Sequence, residues 1–296
     1  MLLKEFVEKS RTELGGIYPE REAVSITGIL CTELLGVQAY THLLNPGLEL
    51  APPLQAKALA ALERLNSCEP VQYVLGYAYF CGEKFKVSPA VLIPRPETEL
   101  LCGKVVESAM IMYRERSAYG KDAGRVRILD MCTGSGCLAW TLAGRIPEAE
   151  VVAVDVSPDA LAVASSQSLT VSRRPSFVEA DIFDAEAVDT LAGDGFDIIV
   201  SNPPYIMESE KALMRGNVLD FEPPLALFVP DDNPLLFYEA LAGICKKHIH
   251  AGGMGFFEIN ERMGDSVASL FKEQGLENVA ILNDQFGRNR YLKCIR

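Results

Sequence analysis

Basic residues are in short supply: 28 lysines and arginines face 40 aspartates and glutamates, a formal net charge of −12. Such a chain repels a phosphate backbone unless a local basic patch overrides the field, so nucleic acid is not expected as a direct partner. Long apolar runs are missing as well; none approaches the ~20 residues of a membrane span, and no membrane association is expected. The first residues, Met1-Leu2-Leu3-Lys4-Glu5-Phe6, lack the basic-then-apolar order of a signal peptide. A cytoplasmic protein is the expectation. Eight cysteines lie scattered at 31, 68, 81, 102, 132, 137, 245 and 294, with no CxxC pair and no histidine at zinc-finger spacing. Reduced, buried thiols are expected, and no metal site. Of the three histidines, His248 and His250 fall in "KKHIHAGG", at an expected helix end where positive charge suits the carboxyl terminus. Repeats and low-complexity tracts are absent, and nothing demands an oligomer, so a monomer is expected.

What remains is a chain of 296 residues, 49% hydrophobic, long enough for a large domain with a small companion. Residues 1 to about 70 read as helices only. Leu2 to Leu14 has helical spacing and stops at Gly15-Gly16; Pro19 opens a second helix, in the N1 position, running to Leu35 before Gly36. A third is expected from Pro53 to Asn66. From Val71 to Val91 the aromatics Tyr73, Tyr77, Tyr79, Phe80 and Phe85 surround Cys81-Gly82-Glu83-Lys84, which reads as a β-hairpin. Then "VLIPRPETELL" leads into a helix from Glu97.

Beyond Arg125 strands and helices alternate. The expected strands are 126–130, 151–155, 176–180, 197–201, 253–259, 279–283 and 290–295, the last two as a hairpin. That order predicts an α/β fold: a seven-stranded, mostly parallel sheet covered on both faces, with ligands at the carboxyl ends of the strands. The domain expectation is a helical domain 1–70, a hairpin linker 71–93 and an α/β domain 94–296.

The first of these strands ends in "ILDMCTGSGCLA". Gly134 and Gly136, lacking Cβ atoms, let backbone approach a ligand closely, although a tight turn alone would also explain them. The second strand ends at Asp155, placed to accept both hydroxyls of a ribose. The third ends "VEADIF", with Asp181 for an adenine amino group and Ile182 for the ring. Together these tips describe an adenosine pocket. The loop also fits the dinucleotide GxGxxA pattern, which would favour NAD pyrophosphate on the helix amino terminus. For S-adenosylmethionine, which has no phosphate, Asp130 would serve the ammonium end; ordinary strand-end capping is the alternative for Asp130 and Asp181.

The fourth strand decides between these cofactors. After Phe196-Asp197-Ile198-Ile199-Val200 the chain sets down "SNPPYI". Within one rigid turn, Asn202 offers a side-chain carbonyl, Pro203 a backbone carbonyl and Tyr205 an aromatic face. Two adjacent acceptors suit an NH₂ group on a planar conjugated system. Such nitrogens are poor nucleophiles; holding both N–H hydrogens lets the nitrogen become tetrahedral with its lone pair aimed at a sulfonium methyl. No strong general base is needed, since the proton turns acidic only after alkylation. An ordinary proline turn is the bland alternative.

Here the sequence resembles the HemK-type release-factor glutamine methyltransferases over nearly its whole length. The likeness rests on residues 69–101, "ILDMCTGSGCLA", "VDVS", "SNPPYI", "DFEPPLALF", "GGMGFFEI" and "DQFGRNR". NPPY alone is shared by many amino-methyltransferases; with PRPETE it is specific. The resemblance implies a Rossmann-like class I methyltransferase acting in translation termination. It would move a methyl group from S-adenosylmethionine, leaving S-adenosylhomocysteine, to the side-chain amide of the glutamine in the Gly-Gly-Gln motif of class 1 peptide chain release factors. It further implies that Asn202, Pro203, Pro204 and Tyr205 hold that amide. Asp130, Cys132, Thr133, Gly134, Ser135, Gly136, Asp155, Asp181, Ile182 and Asn202 would line the cofactor, and the helical domain would grip the release factor. Arg95, Glu97 and Glu99 would be structural or substrate contacts, Arg95 equally a surface ion-pair partner.

Four departures stand out, one of them the run Val229-Pro230-Asp231-Asp232-Asn233-Pro234 where the family usually has a glycine-rich turn. The family usually has glycine at Cys132, an aromatic at Ile182 and glycine at Asn260. A nucleic-acid amino-methyltransferase of the N6-adenine type would share the NPPY chemistry, but it should carry a basic recognition region, and none is evident. A non-catalytic binding module should show decay at the strand tips, which are intact.

Overall fold

The computed structural model describes residues 1–118, 125–147 and 149–296. Two compact units emerge: Met1–Tyr77 with Arg215–Phe221, and Ala78–Met214 with Glu222–Arg296.

The first unit is helical. Helices α1 (Leu3–Leu14), α2 (Glu20–Ile29), α3 (Thr41–Leu44), α4 (Pro52–Asn66) and α5 (Val71–Leu75) bury one stripe each, including Phe6 and Leu14 of α1, Ile26 of α2 and Leu62 and Leu65 of α4. The second expected helix divides: Pro19 is the cap of α2, and Leu30–Leu34 winds as a π turn. Residues 71–75, expected within the hairpin, form α5 instead. Pro70 caps its start and Gly76, at φ 80°, ends it in the left-handed conformation, so Tyr73 is buried from a helix and not from a strand.

The second unit opens with the hairpin β1 (Tyr77–Phe80) and β2 (Glu83–Lys86), then the long helix α6 (Pro96–Ala118). Next come β3 (Arg127–Met131), α7 (Cys137–Arg145), β4 (Glu150–Asp155), α8 (Pro158–Ser165), β5 (Ser176–Glu179), α9 (Ala185–Ala192) and β6 (Phe196–Ser201). The short strands β7 (Ile206–Met207) and β8 (Phe228–Val229), between which the chain forms the single turn α10 (Gly216–Leu219) of the first unit, precede α11 (Leu236–His248), β9 (Ile249–Glu258), α12 (Gly264–Glu273), β10 (Glu277–Asn283) and β11 (Asn289–Ile295).

The central sheet has seven strands in the order β10-β11-β9-β6-β3-β4-β5. β5, β4, β3, β6 and β9 run parallel; β11 runs antiparallel to β9, and β10, antiparallel to β11, returns to the direction of the other five. Helices cover both faces. Trp140 and Leu142 of α7 and Leu101 and Val105 of α6 fill one core; Leu241 of α11 and Val267 and Phe271 of α12 fill the other. All six residues of β6 are buried, as expected of a parallel strand covered on both sides. The chain leaves β3 for β4 on one flank and returns to β6 on the other, so a crevice opens at the carboxyl end of β3, where ligands bind in open α/β sheets.

Asp197 is the one charged residue of β6. Its carboxylate accepts from both guanidinium nitrogens of Arg116, from the Arg127 N–H at 2.9 Å and from His250 at 3.2 Å. Burial pushes its pKa up, but Arg116, the Arg127 N–H and His250 together outweigh that and hold it below 3.8. A depressed folded-state value stabilises the fold above the unfolded pKa and loses that contribution as pH falls through the folded one. Denaturant titrations should show stability declining below about pH 4. Asp197→Ala, which strands Arg116, should remove about 3 kcal/mol at neutral pH and flatten that decline.

Candidate active site

The loop after β3 makes an unusual turn: Cys132, Gly134 and Gly136 have φ of 62°, 55° and 76°. For a residue with a Cβ this conformation costs roughly 1–2 kcal/mol, which explains why glycine suits the place Cys132 occupies. The Cys132 thiol is neutral there, its pKa raised by burial and by nearby Asp155. The two glycines serve different ends. A Cβ on Gly134 would meet nothing within 4 Å, so this position leaves room at the cavity, whereas one on Gly136 would lie 3.0 Å from Ala164 Cβ and 3.2 Å from Trp140. Gly136 therefore lets α7 pack against α8 and does not line the cavity.

Asp130 stands behind the loop. It is fully buried, and its Oδ2 accepts from Thr133 Oγ1 at 2.6 Å and from the Ala139 N–H at 3.1 Å, tying the loop to the first turn of α7. Burial drives its pKa up to about 7 against those two bonds, and its Oδ1 has no hydrogen-bond partner among the described residues. Asp130 is not a wall of the cavity. Asp155, at the tip of β4, is one: it accepts from the Gly134 N–H at 2.8 Å and the Ser157 N–H at 3.0 Å. Burial raises its pKa too.

At the tip of β5, Asp181 Oδ1 accepts from the Phe183 N–H at 3.0 Å, and Ile182 is buried beside it. Phe183 and Phe237 of α11, overlooked in the sequence, complete this wall with ring centroids 5.1 Å apart. Cys132, Thr133, Ser135 and Arg95 also line the cavity. Arg95 donates at 2.6 Å to Glu222, a buried carboxylate that also accepts from the Ile93 N–H at 3.1 Å. It is an ion-pair partner that borders the pocket. Glu97 accepts through its backbone carbonyl from Tyr291 at 2.8 Å.

The turn after β6 brings Asn202 and Pro204 to the cavity; Pro203 is buried, and neither it nor Tyr205 lines the wall. The Asn202 Nδ2 donates to Thr98 Oγ1 at 3.1 Å, and Thr98 donates onward to Glu258 Oε2 at 2.8 Å. The Tyr205 hydroxyl donates to Glu258 Oε1 at 2.9 Å. Burial raises the pKa of Glu258 above 4.5, opposed by Thr98, Tyr205 and Arg290. Asn260 Nδ2 donates to the Tyr205 carbonyl at 3.2 Å and to Glu210 at 3.1 Å, while its Oδ1 accepts from the Arg262 N–H at 3.0 Å. The side chain that departs from the family pattern thus clamps the NPPY turn. His248 and His250 lie apart from the site: His248 contacts Asp189 at 2.9 Å, and His250 contacts Asp197.

An open α/β sheet with a glycine loop, an acidic tip on the next strand and NPPY on the fourth defines a methyltransferase of the Rossmann-like class I type, and S-adenosylmethionine is its methyl donor. The residues present fit that donor. Gly134 leaves space for the ligand, Asp155 keeps acceptor capacity toward a diol beyond its two backbone bonds, and the aromatic and apolar wall of Ile182, Phe183 and Phe237 suits a base. Comparison with known proteins agrees. The family model of the methyltransferase small domain matches residues 120–218, and that of the PrmC N-terminal domain matches residues 3–76. A release factor glutamine methyltransferase of Bacteroides thetaiotaomicron is 38% identical over 97% of either chain. One of Chlorobaculum tepidum is 42% identical, covering 82% of this chain and 79% of that one. Among solved structures, the hMettl16 catalytic domain in complex with MAT2A 3'UTR hairpin 6 shares the fold at a TM-score of 0.53, with 13% identity and 84% of each chain covered. The chain belongs to the release factor glutamine methyltransferase family.

Proposed function

We propose that this protein transfers the methyl group of S-adenosylmethionine to the side-chain amide N5 of the glutamine in the Gly-Gly-Gln motif of class 1 peptide chain release factors. The observation that carries the reading is the engagement of Asn202 Nδ2 by Thr98 at 3.1 Å, which leaves Oδ1 as the amide's free acceptor on a side chain that lines the cavity. The names of the relatives support the substrate.

S-adenosylmethionine, when bound, supplies an electrophilic methyl on a sulfonium. Asn202 Oδ1, on the cavity wall, accepts one N–H hydrogen of the substrate amide, and the Pro203 carbonyl, although Pro203 is not itself among the wall residues, accepts the second where the turn meets the wall. Preorganised acceptors of this kind favour the transition state, in which the nitrogen has lost conjugation and its hydrogens carry more positive charge. The prolines fix the backbone so that the two acceptors need no reordering. Tyr205, anchored by Glu258, keeps the turn in place, and Asp155 holds the cofactor. The helical unit recognises the release factor, and Arg95 borders the substrate's entry. The protein works in the cytoplasm as a monomer, with no direct nucleic-acid contact; its net charge of −12 supports the last point. Among the described residues no helix is long and apolar enough to cross a membrane.

Mass spectrometry of the Gly-Gly-Gln peptide, from an unmodified release factor incubated with the protein and S-adenosylmethionine, tests the reading. One added methyl group on the glutamine is the expected result. An unmodified peptide under conditions where the cofactor binds would overturn the substrate and bring amino groups of nucleic-acid bases forward.

A further inference from the structure

Glu258 lies at the end of β9, 1% exposed and apart from the cavity wall, yet it is the end point of two hydrogen-bond paths from the NPPY turn. One path is direct, from the Tyr205 hydroxyl to Oε1. The other runs from Asn202 through Thr98 to Oε2, joining three elements that lie far apart in the chain: the start of α6, the tip of β6 and the end of β9.

The direction of the second path follows from proton counting. Burial works against the ionised form of Glu258, while Thr98, Tyr205 and Arg290 work for it; in that form the carboxylate only accepts, and Thr98 then spends its one hydroxyl hydrogen on Glu258. The Thr98 oxygen can then only accept, and the group that meets it has to be the NH₂ end of Asn202. With Nδ2 fixed there, Oδ1 is the atom left for the cavity. The opposite rotation would set a donor against the donors of an incoming amide and lose the acceptor the reaction needs. Among the described residues Asn202 has no other side-chain hydrogen bond that would select one rotation, so the choice rests on Thr98.

We infer that Glu258 is a positioning residue that acts through Thr98 to set the rotation of the Asn202 amide, so that Oδ1 faces the reacting nitrogen. This rests on the proposed role of Asn202 as acceptor for a substrate amide, and it adds to that role the buried acid and hydroxyl that enforce it. The stretches of family likeness contain Thr98 and Glu258 as well as NPPY, but the link between the three emerges only from the hydrogen bonds.

Three variants test the relay. Thr98→Val keeps the shape and removes the acceptor, so kcat should fall by about tenfold, the loss expected when one preorganised contact is no longer held. KM for the release-factor peptide and the cofactor Kd should change less than about twofold, because Thr98, though it lines the cavity, is replaced by a side chain of the same shape and Asp155, the Gly134 loop and the β5 tip are unchanged. Thr98→Ser, which restores the hydroxyl, should return kcat to within about twofold to threefold of wild type. A purely structural role for Thr98 predicts instead that Ser and Val are equally impaired or equally active, and either result overturns the inference. Glu258→Gln probes the polarity: a glutamine that still accepts from Tyr205 presents NH₂ to Thr98, whose hydrogen then turns to Asn202 and reverses its amide. That variant should lose kcat by at least about tenfold while keeping cofactor affinity.

Side-chain amide exchange by NMR gives a readout that needs no substrate. The Asn202 Nδ2 hydrogens, identified by their absence in Asn202→Asp, should include one slowly exchanging hydrogen in wild type and Thr98→Ser, and none in Thr98→Val. Fast exchange in wild type would overturn the relay. If wild-type protein binds cofactor but leaves the Gly-Gly-Gln peptide unmethylated, the substrate reading fails, and the exchange result still decides the relay.

Discussion

Asn202→Ala should lower turnover of the release-factor peptide by about a thousandfold, the upper range for losing one preorganised polar group at a reacting centre, and leave the cofactor Kd within about threefold. The size follows from the weakness of the nucleophile. An amide nitrogen has its lone pair delocalised into the carbonyl and attacks only as that conjugation is given up. Asn202 Oδ1 is the side-chain acceptor placed to favour the deconjugated state, and alanine offers nothing in its stead. Removing the side chain also frees Thr98 Oγ1, which keeps its bond to Glu258 at 2.8 Å, so the surrounding structure has little reason to collapse. In the proposed reading the cofactor is held by Asp155, the Gly134 loop and the β5 tip, which this variant leaves unchanged. Single-turnover kinetics paired with calorimetric titration of the cofactor separates the two effects. Turnover within tenfold of wild type would sink the acceptor mechanism.

Thr98 and Glu258 show where sequence reasoning runs out. Strands covered on both faces write themselves as nearly unbroken apolar runs, so Phe196–Ser201 and its neighbours are legible, and the residues just past each strand end are candidates by position alone. Hence Asp155, Asp181 and Asn202 stand out. Thr98 and Glu258 lie 160 positions apart, and Arg95 and Glu222 lie 127 apart; the first pair joins the start of α6 to the end of β9, and the second joins two loops. Both stretches carry the family likeness, but a buried threonine reads in sequence like any helix-start residue. Burial also separates residues that the pattern treats alike. Gly134 and Gly136 look equivalent in the loop, yet one leaves room for a ligand and the other for α8. Position alone puts Asp130 at the ligand's ammonium end, but its bonds to Thr133 and Ala139 turn it to the back of the loop. The segment 71–75 misleads for a local reason: aromatic residues suggest strand, while Pro70 and a left-handed Gly76 close one helical turn.

Asp155→Ala should weaken cofactor binding by about a hundredfold, with kcat at saturating cofactor changed far less. A carboxylate has about four acceptor sites; two are taken by the Gly134 and Ser157 N–H groups, which aim the remaining ones at the cavity. Each hydrogen bond between a charged group and a hydroxyl contributes roughly 1.5–3 kcal/mol, so losing a pair at one diol accounts for the hundredfold even if water recovers part of it. The variant also removes the acceptor of the Gly134 N–H, and the glycine loop, whose φ of 55° at that residue is held in part by this bond, should become less ordered. Asp155→Asn separates the two contributions. Its amide oxygen can still accept the Gly134 N–H, with Nδ2 in place of the oxygen that faces Ser157, so the glycine loop should stay in place while the charge and the Ser157 bond are gone, and affinity should fall by about tenfold, one charge-assisted contribution. Calorimetry with S-adenosylmethionine, and with S-adenosylhomocysteine to remove any contribution from the sulfonium charge, reads these differences directly. Equal affinity in wild type and Asp155→Ala would mean that the ribose is held elsewhere, and that the tip of β4 serves only to shape the glycine loop.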